Sequence, residues 1–577
     1  MNNQHQDLSL VIAGEAGQGI QTIGKLLTKL LHHSHYHVFS TKEYMSRVRG
    51  GSNSIEIRIA QHPVYCYVDR IDLLIVLDEK AFDHVEHRIN DETKVIGDTS
   101  IVKNLSHPHL YAIHLLKEAK NIGNNIYANT IATGLLASLF DIPISIIEKE
   151  IRLFFKEKKE KIIENNIQAI TKGKKMADNI SDTIISTDFF YSKNPEKNTS
   201  PTLLLNGTQA IGLGALAGGC RFISSYPMSP STGVLTFLAT HGQQTNVLVE
   251  QAEDEIAAVN MALGAWYAGA PALVTTSGGG FALMGEGISL AAMTETPLVI
   301  HLAQRPGPAT GLPTRTEQGD LQLALHTGHG EFPRVIYAPG TLQQGFQLTK
   351  KAFDIADANQ IPVIILTDQY YLDSNNQVAP FQNIDESPES HIIETTANYQ
   401  RYEDENNGIS ARGIPGSGKG FVCVDSDEHD KNGRITESAS MRKHMVEKRL
   451  QKTKLLKKHS IPPTLTGSKE YQILLIGWGS TKQVIEETMK TLPNDDVSFL
   501  HFSQIYPIHE KTKHYLEKAT HLICIENNAT AQFAQLLEQQ TGETIHTRIL
   551  QYTGHPFSVE TLKEKITKTI KSLEEHQ

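Results

Sequence analysis

What this chain lacks narrows it first. No stretch reaches the roughly eighteen consecutive apolar residues of a membrane-spanning helix, and the start Met1-Asn-Asn-Gln-His-Gln-Asp7 has neither a basic region nor an apolar core. A cytoplasmic protein without a membrane partner is expected. Cysteine is scarce: the 4 cysteines in 577 residues, Cys66, Cys220, Cys423 and Cys524, all lie more than a hundred residues from one another. That spacing leaves no pair suited to zinc or an iron–sulfur cluster, so no metal site is expected in the chain itself. Cys66 and Cys524 sit in apolar runs that read as buried strands. A basic excess is missing too, with 54 Lys and Arg against 64 Asp and Glu and a net charge of -10, which argues against a nucleic-acid partner. Lys563 to Lys571 is modestly basic and reads as a solvated helix.

What is present is ordinary for a globular protein, with 39% apolar and 20% charged residues. The length exceeds one core and predicts three or four domains. The pattern predicts an α/β fold of three α/β domains. Residues 1–190 open with a strand, Leu8 to Ala13, the turn Gly14-Glu-Ala-Gly17-Gln-Gly19 and a helical run, Ile20 to Leu31. That order makes an anion site at a helix N-terminus. Strand-like runs Ser54 to Ile59, Val64 to Val68 and Leu73 to Leu77 follow, and residues 191–202 form a polar linker. Residues 203–373 alternate apolar runs, Ala272 to Thr276, Leu298 to Leu302 and Pro362 to Thr367, with small-residue helices such as Gln251 to Tyr267. A parallel sheet covered on both faces is predicted. Residues 374–470 are an extended connecting segment with one clear helix, Ser440 to Lys458. A structureless linker this long is unusual, so it is expected to wrap a neighbour. Residues 471–577 repeat the strand, turn, helix order on a smaller scale.

Two segments imitate a nucleotide-phosphate loop. Gly19-Ile-Gln-Thr-Ile-Gly24-Lys25 is followed by Leu26, and Gly413-Ile-Pro-Gly-Ser-Gly418-Lys419 by Gly420, where magnesium binding needs Ser or Thr. The second also runs into the strand-like Phe421 to Val424, so nucleotide hydrolysis is not expected. Tyr226-Pro-Met-Ser-Pro-Ser-Thr232 carries more information. It follows the strand-like Cys220 to Ser225; two prolines fix its backbone while Ser229, Ser231 and Thr232 offer hydroxyls. Such a corner at the carboxyl end of a strand is where open α/β sheets place ligands. No base or nucleophile accompanies it, so any chemistry there falls to a cofactor.

In the next helix, positions 255, 258, 259 and 262 share a face, and Ala258, Val259 and Ala262 make it small and apolar. Glu255 then looks into packed surroundings that raise its pKa. An acidic first turn favoured by the helix dipole is the other reading, and it suits Glu253 and Asp254 better. Ser277-Gly-Gly-Gly280 lets a backbone approach a ligand closely, or makes a tight packing turn. In Gln304-Arg-Pro-Gly-Pro-Ala-Thr310-Gly-Leu-Pro-Thr314, Arg305 is a rigidly held guanidinium suited to a substrate carboxylate, with a surface ion pair as the alternative.

Together, Y-P-M-S-P-S-T, the Glu255 helix, T-S-G-G-G-F-A-L-M and Q-R-P-G-P-A-T-G-L-P-T resemble the 2-oxoacid:ferredoxin oxidoreductases. The nearest likeness is the subunit that fuses gamma and alpha parts, as in many 2-oxoglutarate:ferredoxin oxidoreductases. Residues 1–190 look like the gamma-type catalytic domain, 203–373 like the pyrimidine-type thiamine-diphosphate-binding domain, and 471–577 like the transketolase C-terminal-like domain. Carried over, the resemblance implies that Glu255 contacts the aminopyrimidine of thiamine diphosphate and favours its imino tautomer, with Tyr226 and Pro227 beside the cofactor. It implies that Ser229, where many members have threonine, binds the 2-oxoacid together with Arg305 and Thr310. Arg47, Arg49, Gly50 and Gly51 resemble the loop near coenzyme A. Ser426-Asp427-Glu428-His429 stands where the family often writes G-D-E-H, and Gly207-Thr208-Gln209-Ala210 where it writes G-N-E-A.

In that family the magnesium and diphosphate motif and the iron–sulfur cysteines belong to a beta subunit. The resemblance therefore implies half an active site, closed by a beta partner, in a dimer of alpha–beta pairs. The implied reaction is oxidative decarboxylation of 2-oxoglutarate with coenzyme A to succinyl-CoA and carbon dioxide, reducing ferredoxin. Pyruvate or branched-chain 2-oxoacids are alternative substrates. A non-catalytic scaffold or regulatory subunit is the alternative of another class, and the presence of both Glu255 and Arg305 speaks against it.

Overall fold

The computed structural model describes residues 7–45, 51–180, 184, 201–382, 386–404, 407–493 and 495–575. The chain divides into two compact units, one made of Met1–Leu205, Asp373–Pro380 and Ser558–Thr561, the other of Asn206–Leu372, Phe381–Phe557 and Leu562–Gln577.

The first unit is built on an eight-stranded sheet. Its strand Asp7–Glu15 runs parallel to Leu73–Val76 on one side and antiparallel to Ser52–Ala60 on the other. Leu10, Val11, Ile12 and Ala13 are all fully buried, the continuous apolar run that a strand covered on both faces requires. Beyond the strand, Gly17 and Gly19 take φ of 93° and 80°, and the helix Ile20–His33 begins. That helix buries Ile23, Leu26, Leu27, Leu30 and Leu31 in a core shared with Ile131, Leu135 and Ile170. Each such side chain contributes roughly 1.5–3 kcal/mol. The strand expected at Val64 to Val68 does not form, although Val64, Cys66 and Val68 are buried. Arg58 donates to the Cys66 carbonyl at 3.2 Å and Arg88 to the Val68 carbonyl at 3.3 Å, so guanidiniums take the acceptors that a ladder would have used.

The second unit holds a seven-stranded sheet in the order Leu248–Gln251, Phe222–Ser225, Ala272–Thr276, Leu298–Gln304, Pro362–Asp368, Val335–Tyr337, Gln504–Tyr506. Every neighbouring pair is parallel except the last. The helix expected from Gln251 is shorter. Gln251 completes the edge strand, and the helix Glu255–Tyr267 starts where the Asp254 side chain accepts from the Ala257 N–H at 2.8 Å.

A five-stranded sheet in the same unit, in the order Thr464–Thr466, Val497–Phe502, Ile473–Trp478, His521–Glu526, Thr547–Leu550, is parallel but for its first pair and buries Cys524. The helix Val559–Glu575 buries Leu562, Ile566 and Ile570, so its lysines are the wet face of an amphipathic helix.

The connecting segment is more ordered than its composition predicts. Ile392–Thr395 pairs in parallel with Arg412–Gly418, and the helix Ala439–Lys458 sends Lys448 and Lys452 to the buried Glu295 carboxylate at 2.7 and 2.5 Å. The expected strand at Phe421 to Val424 is a loop instead. Phe421 lies in solvent, and the Tyr267 hydroxyl, not a neighbouring strand, takes the Val422 carbonyl. Among the described residues no helix is long and apolar enough to cross a membrane.

Candidate functional site

Parallel pairing brings the carboxyl ends of Phe222–Ser225, Ala272–Thr276 and Leu298–Gln304 to one edge of the seven-stranded sheet. Glu255, on the helix packed beside them, is 3% exposed, and its Oε1 is buried without a hydrogen-bond partner. Burial pushes its pKa up, and the neighbouring Asp254 adds to the push. Ala258, Val259 and Ala262 are fully buried on the same face, so the packed reading holds for Glu255 while Asp254 serves as the cap. A Cβ on Gly280 would lie 2.3 Å from Thr276 Oγ1 and 2.4 Å from Glu255 Oε1. The glycine turn therefore makes room for this carboxylate.

Arg305, half-buried, donates from Nη1 to the Ser229 carbonyl at 2.6 Å. Burial lowers its pKa, and Asp320 opposes that. The loop beyond it closes with Leu312 N–H on the Pro306 carbonyl at 3.1 Å, a turn that needs Gly311 at φ 53°, where a Cβ would meet that carbonyl at 1.8 Å. Thr310 lies exposed in this loop, Ser229 and Tyr226 are exposed, and Pro227 is half-buried. The structure thus joins Arg305 to Ser229 through a backbone carbonyl. Ser231 plays a structural part, fully buried with its hydroxyl donating to the Met228 carbonyl at 2.7 Å.

Sequence reasoning missed Asp320. Its Oδ2 is buried without a hydrogen-bond partner, and burial, then Glu317, push its pKa up to about 6 against the pull of Arg305. No spacing rule links it to Arg305, since a loop separates them. His301 was missed as well, and it is structural. Its ring nitrogens meet the Thr275 and Thr367 hydroxyls at 2.8 Å each, and burial pushes its pKa down to about 3.

Two looser motif matches resolve into local architecture. Gln209 completes a capping box with Asn206 at the start of the helix Gly207–Ala217, accepting from the Asn206 N–H at 3.1 Å while its own N–H donates to Asn206 Oδ1 at 2.9 Å. Glu428 accepts from Arg449 at 2.8 and 3.1 Å and also from Arg442, and the His429 ring lies 4.0 Å from that of Tyr402. Together they clamp the Ala439–Lys458 helix.

The first unit has a cavity of about 360 Å³ at its glycine turn, lined by Glu15, Gly17, Gly19, Lys42, Tyr44 and Asn53 among others. No side chain caps the Ile20–His33 helix, whose first turn borders this space, so backbone N–H groups are offered there. Gly51 takes φ of 87°, and its carbonyl accepts from the Ala16 N–H at 3.3 Å. Arg47, Arg49 and Gly50 lie outside the described residues.

Chemically, the second unit offers a carboxylate able to share a proton with a ring nitrogen and a guanidinium able to hold an anion. Residues 213–448 match the family described as "Pyruvate flavodoxin/ferredoxin oxidoreductase, thiamine diP-bdg", and residues 9–176 that described as "Pyruvate ferredoxin/flavodoxin oxidoreductase". The 2-oxoacid:ferredoxin oxidoreductase subunit alpha of Sulfolobus sp is 28% identical, the match covering 98% of this chain and 97% of that one. The 2-oxoglutarate synthase subunit KorA of Archaeoglobus fulgidus is 31% identical, over 56% of this chain and 88% of that one. A solved structure of 2-oxoglutarate:ferredoxin oxidoreductase from Magnetococcus marinus, with 2-oxoglutarate, coenzyme A and succinyl-CoA bound, matches with a TM-score of 0.90 at 27% identity, covering 98% of this chain and 100% of that one.

Proposed function

The chain belongs to the 2-oxoacid:ferredoxin oxidoreductases as an alpha subunit with a thiamine-diphosphate-binding domain, and from that premise we propose that it oxidatively decarboxylates 2-oxoglutarate, forming succinyl-CoA and carbon dioxide and reducing ferredoxin. The Archaeoglobus and Magnetococcus relatives, both named for 2-oxoglutarate, support that substrate over pyruvate or branched-chain 2-oxoacids. The observation that carries the catalytic reading is the Glu255 carboxylate, buried with Oε1 unpartnered. A buried polar atom left without a partner is costly unless a ligand supplies one, and an aminopyrimidine ring nitrogen fits that need.

Thiamine diphosphate, when bound, supplies the carbon nucleophile and the electron sink. Glu255, its pKa raised by burial, holds the proton shared with the ring nitrogen. Arg305, oriented by the Ser229 carbonyl, takes the substrate carboxylate until carbon dioxide leaves. Ser229 and Thr310 would complete the substrate wall, and Tyr226 and Pro227 would lie along the cofactor. In the first unit, the uncapped helix N-terminus suits a phosphate of coenzyme A, with Arg47, Arg49, Gly50 and Gly51 expected alongside, while Lys42 at the cavity wall pairs with Asp373 at 2.8 Å. A beta subunit would bring the magnesium and diphosphate site and the iron–sulfur cluster, in a dimer of alpha–beta pairs.

The test is coexpression with a beta subunit and coenzyme A dependent reduction of ferredoxin across several 2-oxoacids. A kcat/KM at least about tenfold higher for 2-oxoglutarate than for pyruvate is expected. Equal values would remove the substrate assignment, and turnover by this chain alone would remove the need for a partner.

A further inference from the structure

Arg305 opens a loop, residues 305–319, whose ends are drawn together where the Asp320 N–H donates to Gln304 Oε1 at 3.0 Å. The outer half folds back on itself, with the Leu312 N–H on the Pro306 carbonyl and the Arg315 N–H on the Leu312 carbonyl, each at 3.1 Å. The returning leg is held from outside the loop. Thr316 donates its N–H to the Gly554 carbonyl and its hydroxyl to Asp368 Oδ1, both at 3.1 Å. Gln318, fully buried, spends every one of its polar groups on the five-stranded sheet. Its N–H donates to the Asn527 carbonyl at 2.7 Å and its Nε2 to the Trp478 carbonyl at 2.9 Å. Its Oε1 accepts from the Asn527 N–H at 2.9 Å and its carbonyl from Asn528 Nδ2 at 3.1 Å. Beside it, Gln532 donates from Nε2 to the Gly319 carbonyl at 2.8 Å and accepts at Oε1 from the Gln322 N–H at 2.9 Å. Gly479, at φ 55°, leaves room for this amide, since a Cβ there would lie 3.1 Å from Gln318 Nε2.

These partners mark one place in the sheet. Trp478 ends the strand Ile473–Trp478, and Asn527 and Asn528 follow its parallel neighbour His521–Glu526. The strand that comes next in the chain after Ile473–Trp478, Val497–Phe502, lies on the other side, so the sheet grows outward in opposite directions from Ile473–Trp478. The crevice outside the carboxyl ends at such a reversal is where doubly wound sheets hold their ligands. Here Gln318 of the same chain fills it. We propose that Gln318 is a positioning residue for the 2-oxoacid: docked in that crevice, it sets the loop that carries Arg305 and Thr310, so the five-stranded sheet acts on substrate affinity without touching the substrate. The inference rests on the assignment of Arg305 and Thr310 to the substrate. With the leg undocked, each binding event would have to order the loop as well, and affinity for the 2-oxoacid would fall.

The test uses the complex with its beta subunit and thiamine diphosphate, in wild type, Gln318→Ala and the milder Gln532→Ala. Gln318→Ala is expected to raise KM for 2-oxoglutarate by about tenfold or more, while kcat and KM for coenzyme A stay within about twofold. Gln532→Ala, which loses only the bonds to Gly319 and Gln322, should show the same split at about threefold. Trypsin gives a readout independent of turnover, because it cuts after Arg315 but not after Arg305, which precedes Pro306. That cut should come at least about tenfold faster in Gln318→Ala than in wild type, and added 2-oxoglutarate should slow it. Equal rises in the two KM values, or a loss of kcat alone, overturn the proposal, as does an unchanged rate of cleavage at Arg315 in both variants. Should Gln318→Ala fail to fold, Gln532→Ala decides by the same readings. A KM for 2-oxoglutarate that survives Arg305→Ala would instead overturn the Arg305 assignment, and the trypsin rates would then judge the docking of the loop by themselves.

Discussion

Gly280→Ala is the smallest change that reaches the proposed proton-sharing carboxylate without touching it. Alanine is the better helix former by about 1 kcal/mol, so at an ordinary position of the Gly278–Leu283 helix the substitution would stabilise. Here the new Cβ would lie 2.3 Å from Thr276 Oγ1, 2.4 Å from Glu255 Oε1 and 2.6 Å from Glu255 Cγ, about 1 Å inside ordinary contact. Thr276 is fully buried on a central strand, so the Glu255 side chain must give way. Overpacking of this kind costs about 1–3 kcal/mol, and a carboxylate displaced by about 1 Å loses about 100-fold in rate. The assay is kcat of the reconstituted alpha–beta complex at saturating 2-oxoacid, with thermal unfolding measured in parallel. In a Glu255→Ala background the added alanine at 280 should cost little further activity, because both changes act on one group. Wild-type turnover in the single variant, or fully additive losses in the double variant, would refute the coupling between the glycine turn and Glu255.

Arg305→Lys should raise KM for the 2-oxoacid by about tenfold or more with a smaller fall in kcat, since an ammonium cannot hold the substrate and the Ser229 carbonyl in one planar fork; steady-state kinetics check this. Gly19→Ala forces φ of 80° on an alanine and sets its Cβ 2.1 Å from Asn129 Nδ2, so KM for coenzyme A should rise while KM for the 2-oxoacid does not. Glu295→Ala should destabilise the chain by about 3–5 kcal/mol by leaving Lys448 and Lys452 buried without their carboxylate. Burial already brings Lys452 down to about 8 against the pull of Glu295, and without that pull it falls further; the folded variant then releases this proton at a lower pH than folded wild type, so urea unfolding should show the penalty shrinking as pH rises to about 8 and levelling above it.

Much of this site was legible because periodicity and turn chemistry report local structure. The apolar face of residues 258, 259 and 262 offered a packed Glu255 as one of two readings, and the prolines and glycines marked the strand ends. What stayed hidden depends on side chains that stand in for backbone partners, or on contacts between distant segments. Val64 to Val68 has the composition of a strand, yet Arg58 and Arg88 satisfy its carbonyls, and no sequence period encodes a guanidinium arriving from elsewhere. The helix Ala439–Lys458 was legible as a helix in a segment expected to wrap a neighbour, but the partners of its charges were not. Its Lys448, Arg449 and Lys452 are buried because Glu295 and Glu428 meet them, a pairing across more than a hundred residues in the first case. Asp320 was illegible for the same reason.

The three glycines of the turn read alike in the sequence, but the structure gives them separate work, and that separation can be tested. A Cβ on Gly278 would meet the Asp320 carboxylate at 2.5 Å, one on Gly280 would meet Glu255, and one on Gly279 would meet nothing within 4 Å. If the turn were only a packing corner, all three alanine variants would differ mainly in stability. If it makes room for the acid that shares the cofactor proton, the loss of turnover falls at Gly280. Gly278→Ala should displace Asp320 and act mainly on stability; Gly280→Ala should lower kcat. Gly279→Ala should raise the thermal stability of the chain slightly, as alanine does at an ordinary helix position, so any activity it loses measures how closely a ligand approaches that backbone. Equal kcat losses at 278 and 280 would show that the turn does not act on turnover through Glu255.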